Sequence, residues 1–119
     1  MSKKLYIGVN NPETTAESFS EAWKRAERGE SFSTDHLLHF ETLDMLLKTL
    51  TPARWRLLKS LRRQGPMSIR SLAKTLKRDY KNTHTDVKRL IQIGLIEKRA
   101  DGRIEVPWDI VEARLHLAA

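Results

Sequence analysis

Apolar positions recur along this 119-residue chain with two different periods. Residues 3–9 alternate weakly and run into Asn10-Asn11-Pro12, the pattern of a short strand that stops at a turn. From Glu13 the period lengthens. Ala16, Phe19, Ala22, Trp23 and Ala26 fall on one side of a helical wheel, and Gly29 ends the run. Residues 32–40, with Leu37, Leu38 and Phe40, read as a second strand, a loop laid on the core being the other reading. Leu43, Leu46, Leu47 and Leu50 then follow at i, i+3, i+4 and i+7, which predicts a helix over residues 41–50.

The second half of the chain is punctuated more sharply. Thr51-Pro52 pairs an N-cap residue with a proline at the first helical position, where its missing N–H costs nothing. The helix that starts there buries Leu57, Leu58 and Leu61, offers Trp55, and ends at Gln64-Gly65-Pro66. Ser68 caps a shorter helix with Ile69, Leu72, Ala73 and Leu76 inward. After Lys77-Arg78, Asp79 caps a further helix whose inward face is Thr83, Val87, Leu90 and Ile91, and Gly94 closes it. Residues 95–99 and 103–106 flank Ala100-Asp101-Gly102. Asp-Gly is a favoured type I′ pair, so a β-hairpin is expected, closed by Pro107. Ile110, Val111, Arg114 and Leu115 give a modest helical stripe, and a last helix is expected over residues 109–117.

Charge sharpens this picture once it is divided along the chain. Residues 51–103 hold fifteen Lys/Arg against four Asp/Glu, while residues 1–50 hold six against eight and residues 104–119 one against three. A basic excess confined to one segment favours a polyanionic partner over a uniformly solvated surface. The chain contains no cysteine, which excludes a disulfide framework, a zinc ribbon and a thiolate nucleophile. No window reaches the roughly 18 to 20 apolar residues of a membrane span, and the short run at residues 5–9 falls short of a signal peptide's core. A cytoplasmic protein without membrane contact is the expectation.

Helix, Gly-Pro break, short helix, basic connector, second helix, Gly-Leu-Ile and hairpin make a recognisable order. With S-I-R-S-L-A-K-T-L as supporting helix and N-T-H-T-D-V-K-R-L-I-Q-I-G-L-I-E-K running into the wing, residues 51–107 resemble the winged-helix domain of MarR-type and related prokaryotic regulators. More narrowly, L-T-P-A-R-W-R-L-L, the Gly-Pro break, R-D-Y-K-N-T-H-T-D-V-K-R-L and G-L-I-E make the chain similar to small archaeal and bacterial DNA-binding, antitoxin-like proteins. The expected fold class is mainly α with a small β-hairpin wing, a winged helix-turn-helix, plus an N-terminal strand-helix-strand arm. Residues 1–40 would form the arm, serving dimerisation or partner binding, and residues 41–119 the DNA-binding domain with its C-terminal helix. The resemblance implies a homodimeric regulator of transcription, acting as repressor or autoregulator. The alternative it implies is an antitoxin that neutralises a partner toxin through its N-terminal region and autoregulates its operon.

The residues themselves suit the first reading. A major groove admits one helix, whose outward side chains reach base edges: Asn can pair with adenine, Lys or Arg with guanine, and Thr can touch a thymine methyl. Asn82, His84, Thr85 and Lys88 are the base-reading candidates. Ser68, Arg70, Ser71, Lys74, Tyr80, Lys81 and Arg89 are placed for the phosphate backbone, and Lys98, Arg99 and Arg103 for the wing. Leu5, Ile7, Phe19 and Trp23, with Tyr6, are apolar material left for a dimer or partner surface.

Blander readings stand beside these. Arg54, Arg56, Lys59, Arg62 and Arg63 form either a solvated helix face or a phosphate-contacting one. Asp86, the sole acid from Lys81 through Ile96, either orients a neighbouring base such as Arg89 or reads a cytosine amino group. Trp23, Trp55 and Trp108 read as core or interface anchors rather than stacking platforms. His36 and His39 lack a third ligand, so no metal and no cofactor are expected. Glycine-rich phosphate loops and nucleophile turns are absent from the sequence, and no catalytic role is expected.

Overall fold

The computed structural model describes residues 2–9, 32–115 and 117. The chain divides into two compact units, Met1–Thr49 with Trp108–Ala119, and Leu50–Pro107. The division therefore falls at residues 50 and 107, so residues 41–49 and the C-terminal stretch lie with the sheet. Phe19, Trp23 and the helix expected from Glu13 to Gly29 lie outside the described residues.

In the first unit, strand β1 (Ser2–Val9) sits between β2 (Phe32–Phe40) and β5 (Ile110–Arg114). Both pairings are parallel. β1 and β2 run from Ser2↔Phe32 to Val9↔Phe40 with a register shift at Lys4/Leu5, and β1 and β5 run from Lys4↔Ile110 to Gly8↔Arg114. The extended reading of residues 32–40 is thus the one adopted. A central parallel strand is covered on both faces, which selects a near-continuous apolar run over alternation. Leu5 is 0 % and Ile7 1 % exposed, with Tyr6 and Val9 equally enclosed. This corrects one expectation. Leu5, Tyr6 and Ile7 are core of their own unit rather than a surface waiting for a partner.

The C-terminal helix expected over residues 109–117 is also corrected: those residues supply β5. Ile110 and Val111 are β-branched and suit a pleated edge, and pairing with β1 outweighs a weak helical stripe. The entry to β5 is pinned by Asp109, whose N–H donates to the Lys3 carbonyl at 2.8 Å and whose Oδ2 accepts from the Lys3 N–H at 2.8 Å. Trp108, buried, stacks with His36 at a centroid distance of 5.9 Å and lies under the Lys3 ammonium at 5.6 Å. Lys4, almost wholly buried, is neutralised by Glu112 of β5. Helix α1 (Leu43–Thr49) completes the described part of this unit, with the Thr42 hydroxyl accepting from the Met45 N–H. Of its expected inward face only Leu46 is buried. Leu43 and Leu47 are exposed.

The second unit holds α2 (Pro52–Gln64), α3 (Ile69–Leu76), α4 (Tyr80–Gln92) and a hairpin of β3 (Glu97–Lys98) and β4 (Ile104–Glu105). Each helix starts where the sequence signals it: Thr51, Ser68 and Asp79 accept from the backbone N–H three residues on, at 3.2, 3.1 and 3.0 Å. The core is Leu57, Leu58, Leu61, Leu72, Ala73, Val87, Leu90, Leu95, Ile96, Ile104 and Val106, all buried. Thr83 is buried too, its hydroxyl donating to the Asp79 carbonyl at 2.9 Å, so it packs inward without an unpaired polar group. Truncating one of these leucines to alanine would cost about 2–5 kcal/mol.

Three local devices set the path of this unit. After the Gly65-Pro66 break, Met67 exchanges both backbone hydrogen bonds with Ile104, at 3.1 and 2.8 Å, and so ties the entry of α3 to the hairpin. Between α3 and α4, Lys77 takes a left-handed conformation with φ 55°. Its N–H bonds the Lys74 carbonyl and that of Arg78 bonds the Ala73 carbonyl, a Schellman closure on a residue other than glycine. At the end of α4 the same closure uses Gly94, at φ 89°, with the buried pair Leu90 and Leu95 beside it. The hairpin turn departs from the expected type I′. Only Gly102 has positive φ, the Gly102 N–H bonds the Arg99 carbonyl at 3.0 Å, and the Arg99 N–H bonds the Arg103 carbonyl at 2.7 Å. A three-residue loop of this kind needs one left-handed residue, not two, and Asp101 is freed to bond Arg103.

Candidate nucleic-acid interface

Burial of Thr83, Val87 and Leu90 fixes which side of α4 faces out. Tyr80, Lys81, Asn82, His84, Thr85, Lys88, Arg89 and Gln92 are exposed. The four base-reading candidates therefore share the outward face with the backbone candidates Lys81 and Arg89. Thr85 donates its hydroxyl proton to the Lys81 carbonyl at 3.0 Å, so what it presents outward is chiefly its methyl group and an acceptor lone pair. The Arg89 guanidinium reaches Gln92 at 3.5 Å.

Helix α3 joins this face through an aromatic bridge. Arg70 of α3 lies over the Tyr80 ring at 5.0 Å, and Tyr80 meets the His84 ring at 5.9 Å, tilted by 42°. A cation over an aromatic face is held in a preferred orientation, which makes Arg70, Tyr80 and His84 one patch rather than three separate residues. Ser68 and Ser71 are joined Oγ to Oγ at 3.0 Å at the α3 N-terminus, whereas Lys74 is exposed in the last turn of that helix, away from its start.

A groove of about 430 Å³ runs between α4, the start of α3 and the hairpin. Ile69, Ile91 and Ile104 form its apolar floor, and His84, Lys88, Gln92 and Lys98 its polar rim. It brings the wing candidate Lys98 to the same opening as His84 and Lys88.

The other two wing cations are engaged within the hairpin. Arg103 holds the Asp101 carboxylate through Nε at 2.9 Å and Nη2 at 2.8 Å, and Arg99 lies 3.6 Å from Asp101 and 3.7 Å from Glu105. The Arg103 side-chain hydrogen bond, seconded by its backbone N–H, holds the Asp101 carboxyl below its ordinary value. With Glu97, Asp101 and Glu105 against Lys98, Arg99 and Arg103, the hairpin is formally neutral. A basic wing was the expectation. The residues are basic, but the hairpin as a whole is not, because each arginine has a carboxylate on its own strand pair or turn.

Asp86 is the residue whose partners sequence reasoning missed. It meets Arg54 of α2 (Nε–Oδ1, 3.1 Å) and Arg78 of the α3–α4 connector (Nη2–Oδ2, 2.8 Å), not Arg89. Its side chain is largely enclosed, and Nη1 of Arg78 is buried without a hydrogen-bond partner. Arg54 is correspondingly drawn off the solvated face assigned to it. Nothing local in the sequence links positions 54 and 86, and only the fold brings them together. Among the described residues, no group of three or more His, Cys, Asp or Glu could hold a metal ion, and no helix is long and apolar enough to cross a membrane.

No curated protein and no solved structure matches the chain. The model of a family named HVO_A0114 matches residues 49–113, a span that includes every candidate residue of α3, α4 and the hairpin.

Proposed function

We propose that this chain, which belongs to the HVO_A0114 family, is a duplex DNA-binding regulator of transcription built on a winged helix-turn-helix in Leu50–Pro107. The observation that carries this reading is the outward face of α4, where Asn82, His84, Thr85, Lys88 and Arg89 stand exposed in the most basic segment of the chain. A helix of this length fits one major groove, and these side chains match base edges in donor, acceptor and methyl character. Lys81, Arg89 and the Arg70–Tyr80–His84 patch flank the helix where phosphates would run. The groove rimmed by Lys88 and Lys98 would take one sugar-phosphate strand between α4 and the hairpin. Because the hairpin is neutral, its share of affinity rests on Lys98 rather than on a general positive field.

The decisive experiment compares binding of the full chain to its own upstream DNA and to scrambled DNA of equal length over a salt series. A gap of about a thousandfold or more, with a steep salt slope, is the expected result. Equal affinities with equal slopes would leave only a basic surface, and would transfer the reading to a protein-neutralising role for the acidic N-terminal residues.

A further inference from the structure

Several arginines of Leu50–Pro107 are held by carboxylates: Arg54 and Arg78 by Asp86, Arg99 by Asp101 and Glu105, and Arg103 by Asp101. Arg70 is held differently. Its guanidinium lies 5.0 Å from the centre of the Tyr80 ring, and no hydrogen bond or ion pair engages it among the described residues. A carboxylate fixes an arginine by taking its charge and its N–H donors, and so competes with phosphate. A ring fixes it through the π face and leaves both available.

The other half of the arrangement belongs to α4. Tyr80 is the first residue of that helix, directly after its Asp79 cap, and His84 follows one turn later on the same side. The imidazole meets the Tyr80 ring at 5.9 Å with a tilt of 42°, within the range of favourable aromatic pairs. No hydrogen bond or ion pair holds His84 among the described residues, and Asp86, the acid nearest to it in sequence, is engaged by Arg54 and Arg78. A ring contact leaves both imidazole nitrogens available to a base edge.

Given the DNA-binding role proposed for α4, we infer that Tyr80 is a positioning residue that acts through its ring. It presets Arg70 for a phosphate and His84 for a base edge, and so fixes the spacing between the contact that anchors and the contact that reads. An arginine gives up rotamer freedom when it settles on a phosphate, and one already seated over a ring gives up less. This role differs from the phosphate contact expected of Tyr80, which would run through its hydroxyl. It also makes Arg70 of α3 and Tyr80 of α4 energetically coupled.

Tyr80 is exposed, so replacing it spares the core, and the full chain serves throughout. In the protein without DNA, the NMR shifts of the Arg70 side chain and the His84 ring are expected to move when Tyr80→Leu removes the ring current. In Tyr80→Phe they should stay near the parent values. On operator DNA, Tyr80→Leu is expected to weaken binding about tenfold, and Tyr80→Phe to recover most of that loss. Arg70→Gln should cost about fivefold in the parent but about twofold or less in the Tyr80→Leu background. A Tyr80→Phe protein as weak as Tyr80→Leu would put the contact at the hydroxyl and overturn the inference. So would an equal Arg70→Gln loss in both backgrounds, or NMR shifts indifferent to the ring. Equal binding of operator and scrambled DNA in the salt series would instead defeat the DNA reading, and the shifts measured without DNA tell that failure apart from failure of the ring contact.

Discussion

Asp86 sits where a carboxylate has least reason to be. It lies on the helix proposed to face a polyanion, and it draws two arginines to itself. Held as it is by Arg54 and Arg78, it ties α4 to α2 and to the connector at once. Removing the charge from one member of such a part-buried cluster costs about 1–3 kcal/mol, because the arginines keep their desolvation without their counter-charge. Asp86→Asn is therefore expected to lower the melting temperature. On DNA it should act in two opposite directions through Arg78: scrambled DNA is bound several-fold more tightly at low salt, with a slope steeper by roughly one, while the preference for the operator falls about tenfold. Loss of fold alone would lower both affinities together and leave the slope unchanged.

At the scale of elements, what could be read from the sequence was whatever depends on neighbours a few residues apart. Thr51-Pro52, Ser68, Asp79 and Gly94 mark the ends of α2, α3 and α4 because capping satisfies backbone groups within one turn. β5 was illegible because its strand state is decided by β1, more than a hundred positions away, through the paired hydrogen bonds of Lys3 and Asp109. The outward set on α4 followed from helical period, whereas the pairing of Asp86 did not, since Arg54 reaches it only through the packing of α2. The hairpin shows the same division. Its existence was legible from Asp-Gly, but the turn type, and with it the salt bridge from Asp101 to Arg103, was not. That salt bridge has a consequence for the hairpin. Asp101 is exposed and its carboxyl is held below the ordinary 3.8 by its hydrogen bonds with Arg103. A depressed value in the folded state means the interaction is complete above the ordinary range and is lost as pH falls through the folded value. Carbon-detected NMR of Asp101 should place its midpoint below 3.8. Asp101→Asn should release Arg103 toward phosphate, raising DNA affinity a few-fold and steepening the salt slope by about one, with little change in melting temperature. An unchanged slope would mean that Arg103 does not approach the DNA backbone.

For the whole molecule, the division at residues 50 and 107 separates two compact units. Leu50–Pro107 contains its own core and all the candidate DNA-contacting residues, while the three-stranded sheet lies in the other unit. A domain of about 60 residues buries only some 60 % of its unfolded surface, so the isolated segment is expected to fold marginally. A fragment of residues 50–107 should nevertheless melt cooperatively, at a lower temperature than the full chain. It should bind a single half-site with the sequence preference of the parent. What it should lose is sensitivity to spacing. Two half-sites suit a two-fold dimer when they lie about one helical turn apart, so inserting about five base pairs rotates one site to the far side of the duplex. The full chain is expected to lose affinity sharply on that insertion, and the fragment to bind both DNAs alike. If the fragment also distinguished the two spacings, self-association would have to reside in Leu50–Pro107. Its exposed Trp55 would then be the first residue to truncate.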